Sequence, residues 1–207
     1  MDRCQEILSE GLVFLGLPAD EKKLALLLKF IALIEKWNKA YNLTAIRDKE
    51  EMVRLHILDS LAILPYLHGK RLIDIGTGAG LPGIPLAIYR PDMEFVLLDS
   101  NAKKTRFVQQ AILELGLKNV QVATSRVENY QPQQRFDSVV CRAFASLNDI
   151  LKLTTHLFND DGMLLAMKGQ QPDEELAAIH LPCQIIPIAV PQVEAERCLV
   201  CISINTQ

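Results

Sequence analysis

Three glycines at alternate positions, Gly76, Gly78 and Gly80, punctuate the stretch Leu72-Ile-Asp-Ile-Gly76-Thr-Gly78-Ala-Gly80-Leu-Pro-Gly83. A glycine has no Cβ, so the backbone turns sharply there and a ligand can approach it closely. The residues before the glycines read as a strand. Pro82, a residue favoured in the first turn, opens a helix after them. In open α/β sheets the turn between such a strand and helix is where ligands bind. The dinucleotide fingerprint GxGxxG asks for a glycine at position 81, but this chain carries Leu81 and places its third glycine at 80. A pyrophosphate needs a tight, glycine-backed helix N-terminus, which Leu81 spoils. The following strand ends in Asp99, 23 residues beyond Gly76, about where an acid receives the hydroxyls of a ribose. A ribose grip without a pyrophosphate grip points to S-adenosylmethionine. The alternative, a nicotinamide-dependent oxidoreductase on a doubly wound sheet, is opposed by Leu81.

Other reactive side chains offer less. His56 and Asp59 are three apart on a predicted helix and share a face, which suits surface pairing more than a general base. Cys141 beside Arg142 invites comparison with a thiolate nucleophile, but no second cysteine or Pro-Cys context accompanies it. Cys198 and Cys201 fit a CxxC spacing inside an apolar run that reads as a strand. Strand side chains alternate, so residues three apart face opposite sides, and a lone pair cannot complete a four-ligand zinc site. No metal is expected.

The elements that must position these groups change character along the chain. The first third reads as helical: Leu24, Leu27, Leu28, Ile31 and Ile34 recur at helical spacing behind Asp20 and Glu21. That run continues to Trp37, the segment Asn38–Thr44 reads as a loop, and a second helical stretch spans about Asp48 to Leu67. From residue 71, strands at 71–75, 94–98, 119–123, 136–141 and 163–167 alternate with helices near 83–90, 101–116 and 146–158. Strands apolar on both faces, alternating with helices, predict a parallel sheet covered by helices. Two last strands, 184–190 and 198–205, are joined by only Pro191–Arg197. So short a connector makes a hairpin, because a parallel return needs a dozen or more residues. The sheet should therefore end in an antiparallel pair. The expected organisation is a helical extension over residues 1–68 and one compact α/β unit over 69–207.

Length and composition agree with this. The chain has 207 residues, 49% of them hydrophobic and 23% charged, the make-up of a soluble globular protein. Its longest apolar stretch, Leu24–Ile34, contains Lys29 and falls short of the roughly 18–20 residues that cross a bilayer. Five scattered cysteines and the polar start Met-Asp-Arg-Cys-Gln-Glu fit a reducing, cytoplasmic setting. The net charge of −3 argues against indiscriminate nucleic-acid binding, yet residues 100–142 carry seven basic and three acidic side chains and residues 143–207 three and eight. A local positive face on an acidic protein suits a phosphate-bearing partner held at one place.

Several motifs in register carry a resemblance over about Trp37 to near the C-terminus: Trp37-Asn-Lys-Ala-Tyr-Asn-Leu-Thr44, His56-Ile-Leu-Asp-Ser60, Asp74 through Gly83, Leu98-Asp-Ser100, Ser125-Arg-Val-Glu128, Arg142-Ala-Phe-Ala-Ser146 and Met167-Lys-Gly169. The segment Leu72–Pro85 resembles motif I of class I S-adenosylmethionine-dependent methyltransferases. The chain as a whole resembles the bacterial 16S ribosomal RNA (guanine(527)-N(7))-methyltransferases, or glucose-inhibited division protein B. The resemblance implies a Rossmann-like sandwich with a mostly parallel seven-stranded sheet ending in an antiparallel hairpin. It implies S-adenosylmethionine as methyl donor and 16S rRNA or the small ribosomal subunit as partner.

Residue by residue, it implies that Gly76, Gly78 and Gly80 lie under the methionine part of the cofactor, with Gly76 and Leu81 in contact. Asp99 receives the ribose, Val127 and Glu128 meet the adenine, and Arg142 belongs to the cofactor site. Arg142 at a strand end could pair with the cofactor carboxylate or with an RNA phosphate. Guanine N7 has an in-plane lone pair and no proton, so its methylation needs positioning rather than a base. No residue is therefore expected to act as nucleophile or acid–base catalyst, with Arg142 the one candidate for a direct role. Lys103, Lys104, Arg106 and Arg126 are the expected grip on rRNA phosphates. The other alternative is a non-catalytic RNA-binding or ribosome-assembly protein. A monomer, with no membrane partner, is expected.

Overall fold

A computed structural model describes residues 2–142 and 145–204. Ala143 and Phe144 of the Arg142–Ser146 motif, and Asn205 at the end of the last expected strand, lie outside the described residues.

The chain begins with helices α1 (Arg3–Phe14) and α2 (Glu21–Tyr41). Asp20 caps α2 by accepting the Lys23 amide at 3.0 Å, which satisfies an amide the helix itself cannot. Of the expected face, Leu24, Leu27, Ile31 and Ile34 are buried and Leu28 is half-buried against the core. The helix does not stop at Trp37. It runs to Tyr41, and Asn42 ends it in a left-handed conformation with φ 49°. Asn38 is therefore inside the helix, and its buried amide shapes the loop that follows: Nδ2 donates to the Thr44 carbonyl at 3.0 Å and Oδ1 accepts the Thr44 amide at 3.0 Å.

The helix expected over Asp48–Leu67 is divided. It starts as α3 (Lys49–Met52), with Asp48 accepting the Glu51 amide, and continues as a π-helix over Val53–Leu58 before α4 (Asp59–Leu61). Pro65, which has no amide to donate, sits in the 3-10 turn Leu64–Tyr66 that replaces the last turns.

The α/β part comprises β1 (Arg71–Ile75), α5 (Gly83–Tyr89), β2 (Glu94–Asp99), α6 (Ala102–Leu115), β3 (Val120–Thr124), β4 (Phe136–Arg142), α7 (Leu147–Thr154), β5 (Phe158–Lys168), α8 (Asp173–Ala177), β6 (Cys183–Pro187) and β7 (Cys198–Ser203). The strands form one seven-stranded sheet in the order β3-β2-β1-β4-β5-β7-β6. β1 to β5 are parallel and β7 is antiparallel to both neighbours, as the short connector requires. Pro82 stands one position before α5 rather than in its first turn, and the Gly83 amide, which has no partner within the helix, is given to Asp74.

Alternating strand residues fill two cores. Leu72, Leu97, Val140, Leu165 and Leu199 face α5, α6 and the N-terminal helices; Ile73, Ile75, Val96, Val139, Leu164 and Val200 face α7. Leu8, Leu27 and Phe30 of the extension share the first core with Phe107 of α6, whose ring lies 6.4 Å from that of Phe30. Cys201 belongs to the first core and Cys198 to the second, so the CxxC pair does face opposite sides. The basic segment surrounds α6 and β3 at one edge of the sheet, and the acidic segment makes up the β5-β7-β6 edge.

Candidate active site

Strand register sets the site. At the carboxyl ends of the parallel strands, Asp99 pairs with Thr124, Ile75 with both Leu98 and Cys141, and Arg142 with Met167. One step beyond Ile75, Gly76 is level with Asp99 on one side and Arg142 on the other. The row Thr124, Asp99, Gly76, Arg142, Met167 thus crosses the sheet edge, and a cavity opens on each side of Gly76.

The first cavity, of about 510 Å³, is lined by Gly76, Asp99, Ser100, Val127 and Glu128, with Lys104 and Arg126 at its wall. The glycine turn beside it has two constraints. Gly78 has φ +60°, and a Cβ there would meet nothing nearer than the Gly76 carbonyl at 3.9 Å, so only backbone conformation and the approach of a ligand ask for glycine. At Gly83 a Cβ would lie 2.1 Å from Leu97 Cδ2, so packing asks for it. The Gly78 amide donates to Asp99 Oδ2 at 2.9 Å and the Asn101 amide to Oδ1 at 2.8 Å. Asp99 therefore ties the glycine turn to the start of α6, and each of its oxygens keeps a lone pair for a ligand.

Beneath the turn lies Asp74, fully buried. Its Oδ2 accepts from Thr77 Oγ1 at 2.6 Å and from the Gly83 amide at 2.9 Å, while Oδ1 has no hydrogen-bond partner. Burial holds this carboxyl up at about 7, against the pull of those two donors.

The second cavity, of about 470 Å³, joins three parts of the chain: Leu55, His56, Asp59 and Ile63 from the extension, Arg142 and Lys168 from strand ends, and Ile188 and Arg197 from the hairpin connector. Asp59 is its pivot. Oδ2 lies 3.4 Å from Arg142 Nη1 and Oδ1 accepts from Arg197 Nε at 3.2 Å. Arg142 Nη1 also donates to the Leu55 carbonyl in the π-helix at 3.1 Å. His56 and Asp59 do share a face, but they do not pair with each other: His56 Nε2 is 2.9 Å from Thr44 Oγ1. Burial, then the charge of Arg142, pushes His56 down to about 4, so near neutrality it carries no charge. Lys168 donates to Glu175 and to the Ala145 carbonyl and so fixes the end of β5.

Of the expected cofactor residues, Gly76, Asp99, Val127 and Glu128 come together at the first cavity. Gly78 and Gly80 shape the turn, Leu81 is buried in the first core, and Arg142 opens on the second cavity. Of the expected RNA residues, Lys104 and Arg126 line the first cavity while Lys103 and Arg106 are exposed on α6. Burial raises the Cys141 thiol to about 12, which removes it as a nucleophile. Arg197 was not singled out from sequence. Its one signal is being among three basic residues in an acidic segment.

The first cavity fits an adenosyl ligand: Gly76 in its lining with the open backbone of Gly78 in the turn beside it, a carboxylate with lone pairs to spare for ribose hydroxyls, and an apolar Val127 wall for a ring. This sheet order, with its glycine turn after β1 and acid at the end of β2, is that of the class I S-adenosylmethionine-dependent methyltransferases. Solved structures share the fold: a SAM-dependent methyltransferase from Aquifex aeolicus (TM-score 0.58, 19% identity, 74% of this chain and 93% of that one) and a methyltransferase from Geobacter sulfurreducens (TM-score 0.62, 13% identity, 85% and 90%). A family model described as GidB, rRNA small subunit methyltransferase G, matches residues 23–199. Proteins named ribosomal RNA small subunit methyltransferase G are similar along nearly the whole length: 51% identity in Nitrosococcus oceani over 95% of this chain and 93% of the relative, and 56% in Legionella pneumophila over 87% and 86%. The chain belongs to the rRNA small subunit methyltransferase G family. Neither the oxidoreductase nor the non-catalytic alternative gains support from these relatives.

Proposed function

We propose that this protein transfers the methyl group of S-adenosylmethionine to N7 of one guanine of 16S ribosomal RNA, position 527, by direct in-line displacement. The observation that supports the reading is the row across the sheet edge, with the cavity lined by Gly76, Asp99, Val127 and Glu128 on the Asp99 side and a second cavity on the Arg142 side.

The cofactor supplies an electrophilic methyl on a sulfonium. The chain's own residues do the rest by placement. Gly76 and Gly78 present backbone without side chains, Asp99 receives ribose hydroxyls, and Val127 and Glu128 flank the adenine. Because N7 carries no proton, no residue has to accept one. Rate comes from holding the lone pair at about 3–3.5 Å from the methyl. The product ring is cationic, and the Leu55 carbonyl and Asp59 at the second cavity are acceptors of the kind that stabilise such charge. The N7 edge of guanine lies in the major groove, which is deep and narrow in A-form RNA, so an unstacked or flexible target is expected.

Lys103, Lys104, Arg106 and Arg126 grip phosphates at the β3 edge. Residues 1–68 act as an extension that completes the second cavity for the compact unit 69–207. A cytoplasmic monomer fits this work, and among the described residues no helix is long and apolar enough to cross a membrane.

Purified protein, labelled methyl donor and rRNA or small subunits from cells lacking the enzyme provide the test, with the modified nucleotide mapped. Label at N7 of the single guanine is expected. Label at another ring atom or another nucleotide defeats the assignment.

A further inference from the structure

The second cavity has a mixed lining that a phosphate site would not need. Its walls include Ile46, Leu55, Ile63 and Ile188, and of its polar groups, which also include His56, Lys168 and Arg197, Arg142 and Asp59 stand side by side. Apolar walls with a few convergent polar groups suit a ring with apolar faces and a polar edge. The free valences are specific. Arg142 commits Nη1 to Asp59 and the Leu55 carbonyl, which leaves Nε and the other amino group without a protein partner among the described residues. Asp59 receives one donor on each oxygen, and a carboxylate has about four acceptor sites. The cavity therefore offers a donor next to an acceptor.

Guanine presents the complement. Reading round its edge from N7 come O6, an acceptor, then N1–H and the N2 amino group, both donors. Reading along the protein from the first cavity come Gly76, then Arg142, then Asp59. We propose that the second cavity receives the acceptor guanine, with Arg142 donating to O6 and Asp59 accepting from N1–H and N2–H. This rests on the guanine-N7 reading above. The order of groups on the base then matches the order on the protein and turns N7 toward the first cavity. Adenine has a donor in place of O6 and a bare lone pair at N1, so both contacts become repulsive. Arg197 is a positioning residue here: by holding Asp59 Oδ1 it fixes the carboxylate that reads the base.

The experiment compares small-subunit RNA carrying guanosine or inosine at the target, using the wild-type protein and Asp59→Asn. Inosine keeps O6, N1–H and N7 and lacks only the N2 amino group. Wild type is expected to lose about 10-fold in kcat/KM on inosine, the worth of one base-edge contact. Asp59→Asn is expected to lose about 10- to 100-fold on guanosine and nothing further on inosine, with cofactor Kd by calorimetry unchanged. A variant that keeps the full guanosine preference overturns the proposal, since a merely structural carboxylate would leave that ratio alone. Should Asp59→Asn fail to fold, because two guanidiniums lose their counter-charge, the wild-type ratio decides: equal kcat/KM for the two RNAs defeats the pocket alone. Wild-type protein that methylates no rRNA guanine at N7 defeats the underlying reading and the pocket with it.

Discussion

His56 and Asp74 are both buried, both feel the positive charge of Arg142, and are shifted in opposite directions: the imidazole down to about 4 and the carboxyl up to about 7. In each case burial is the largest cause, because it disfavours whichever form is charged.

Their effects on stability therefore oppose each other. The Asp74 contribution is fully present below its ordinary value of 3.8 and is lost as pH rises through about 7. The His56 contribution is present above 6.5 and is lost as pH falls through about 4. Between about pH 4 and 6.5 the two slopes cancel in the wild type. His56→Asn should unmask Asp74, so that stability increases on acidification by up to about 1.4 kcal/mol per pH unit. Asp74→Asn should do the reverse. Urea unfolding at several pH values between 4.5 and 7 reads this, and a common slope for all three proteins would refute the assignment.

Two glycine substitutions should separate binding from packing. Gly78→Ala places a methyl in open space at φ +60° and should cost about 1 kcal/mol of stability, while weakening cofactor binding more than about tenfold. Gly83→Ala drives a Cβ to 2.1 Å from Leu97 Cδ2 and 2.9 Å from Asp74 Oδ2 and should cost about 1–3 kcal/mol. Thermal melts with and without cofactor distinguish them. Equal losses in both measurements would deny the cradle role of Gly78.

The first turn of α6 holds Lys103 and Lys104 and no acid, an arrangement the helix dipole disfavours. The proposed phosphate contact would account for it. Neutralising Lys103 and Arg106, which are exposed and outside the first cavity, should flatten the salt dependence of RNA binding by about 0.7–0.9 per lost contact and leave cofactor affinity alone. Lys104→Ala should disturb both, since Lys104 lines that cavity. Filter binding over a salt series checks this; an unaltered slope removes these side chains from the RNA face.

Cys141, with its thiol raised to about 12, should resist iodoacetamide at neutral pH while exposed Cys183 reacts. Cys141→Ala should retain methyl transfer. A covalent RNA adduct at Cys141 would contradict direct displacement.

The glycine turn, Asp99 and the antiparallel ending were legible because each depends on local spacing: residues a few positions apart, or a connector too short for any other path. The π-helix was not, since Val53–Leu58 has the same apolar character in either helical form. The Asp59 cluster was hidden for a different reason. Its bonds to Arg142 and Arg197 join residues 83 and 138 apart in the chain, and only the folded sheet brings them together. Asp74 was legible as the start of the glycine-turn motif, but its unpartnered oxygen was not, since that exists only once the turn has closed over it.

The excess of basic side chains around α6 and β3 and of acidic ones along β5-β7-β6 gives the molecule an electric axis running across the sheet. A large polyanion such as rRNA exerts a torque on such an axis before any surface touches. The protein should arrive already turned, the α6 edge leading and the hairpin trailing. Fewer encounters are then wasted in the wrong attitude, and raising ionic strength should slow productive arrival more than it speeds departure.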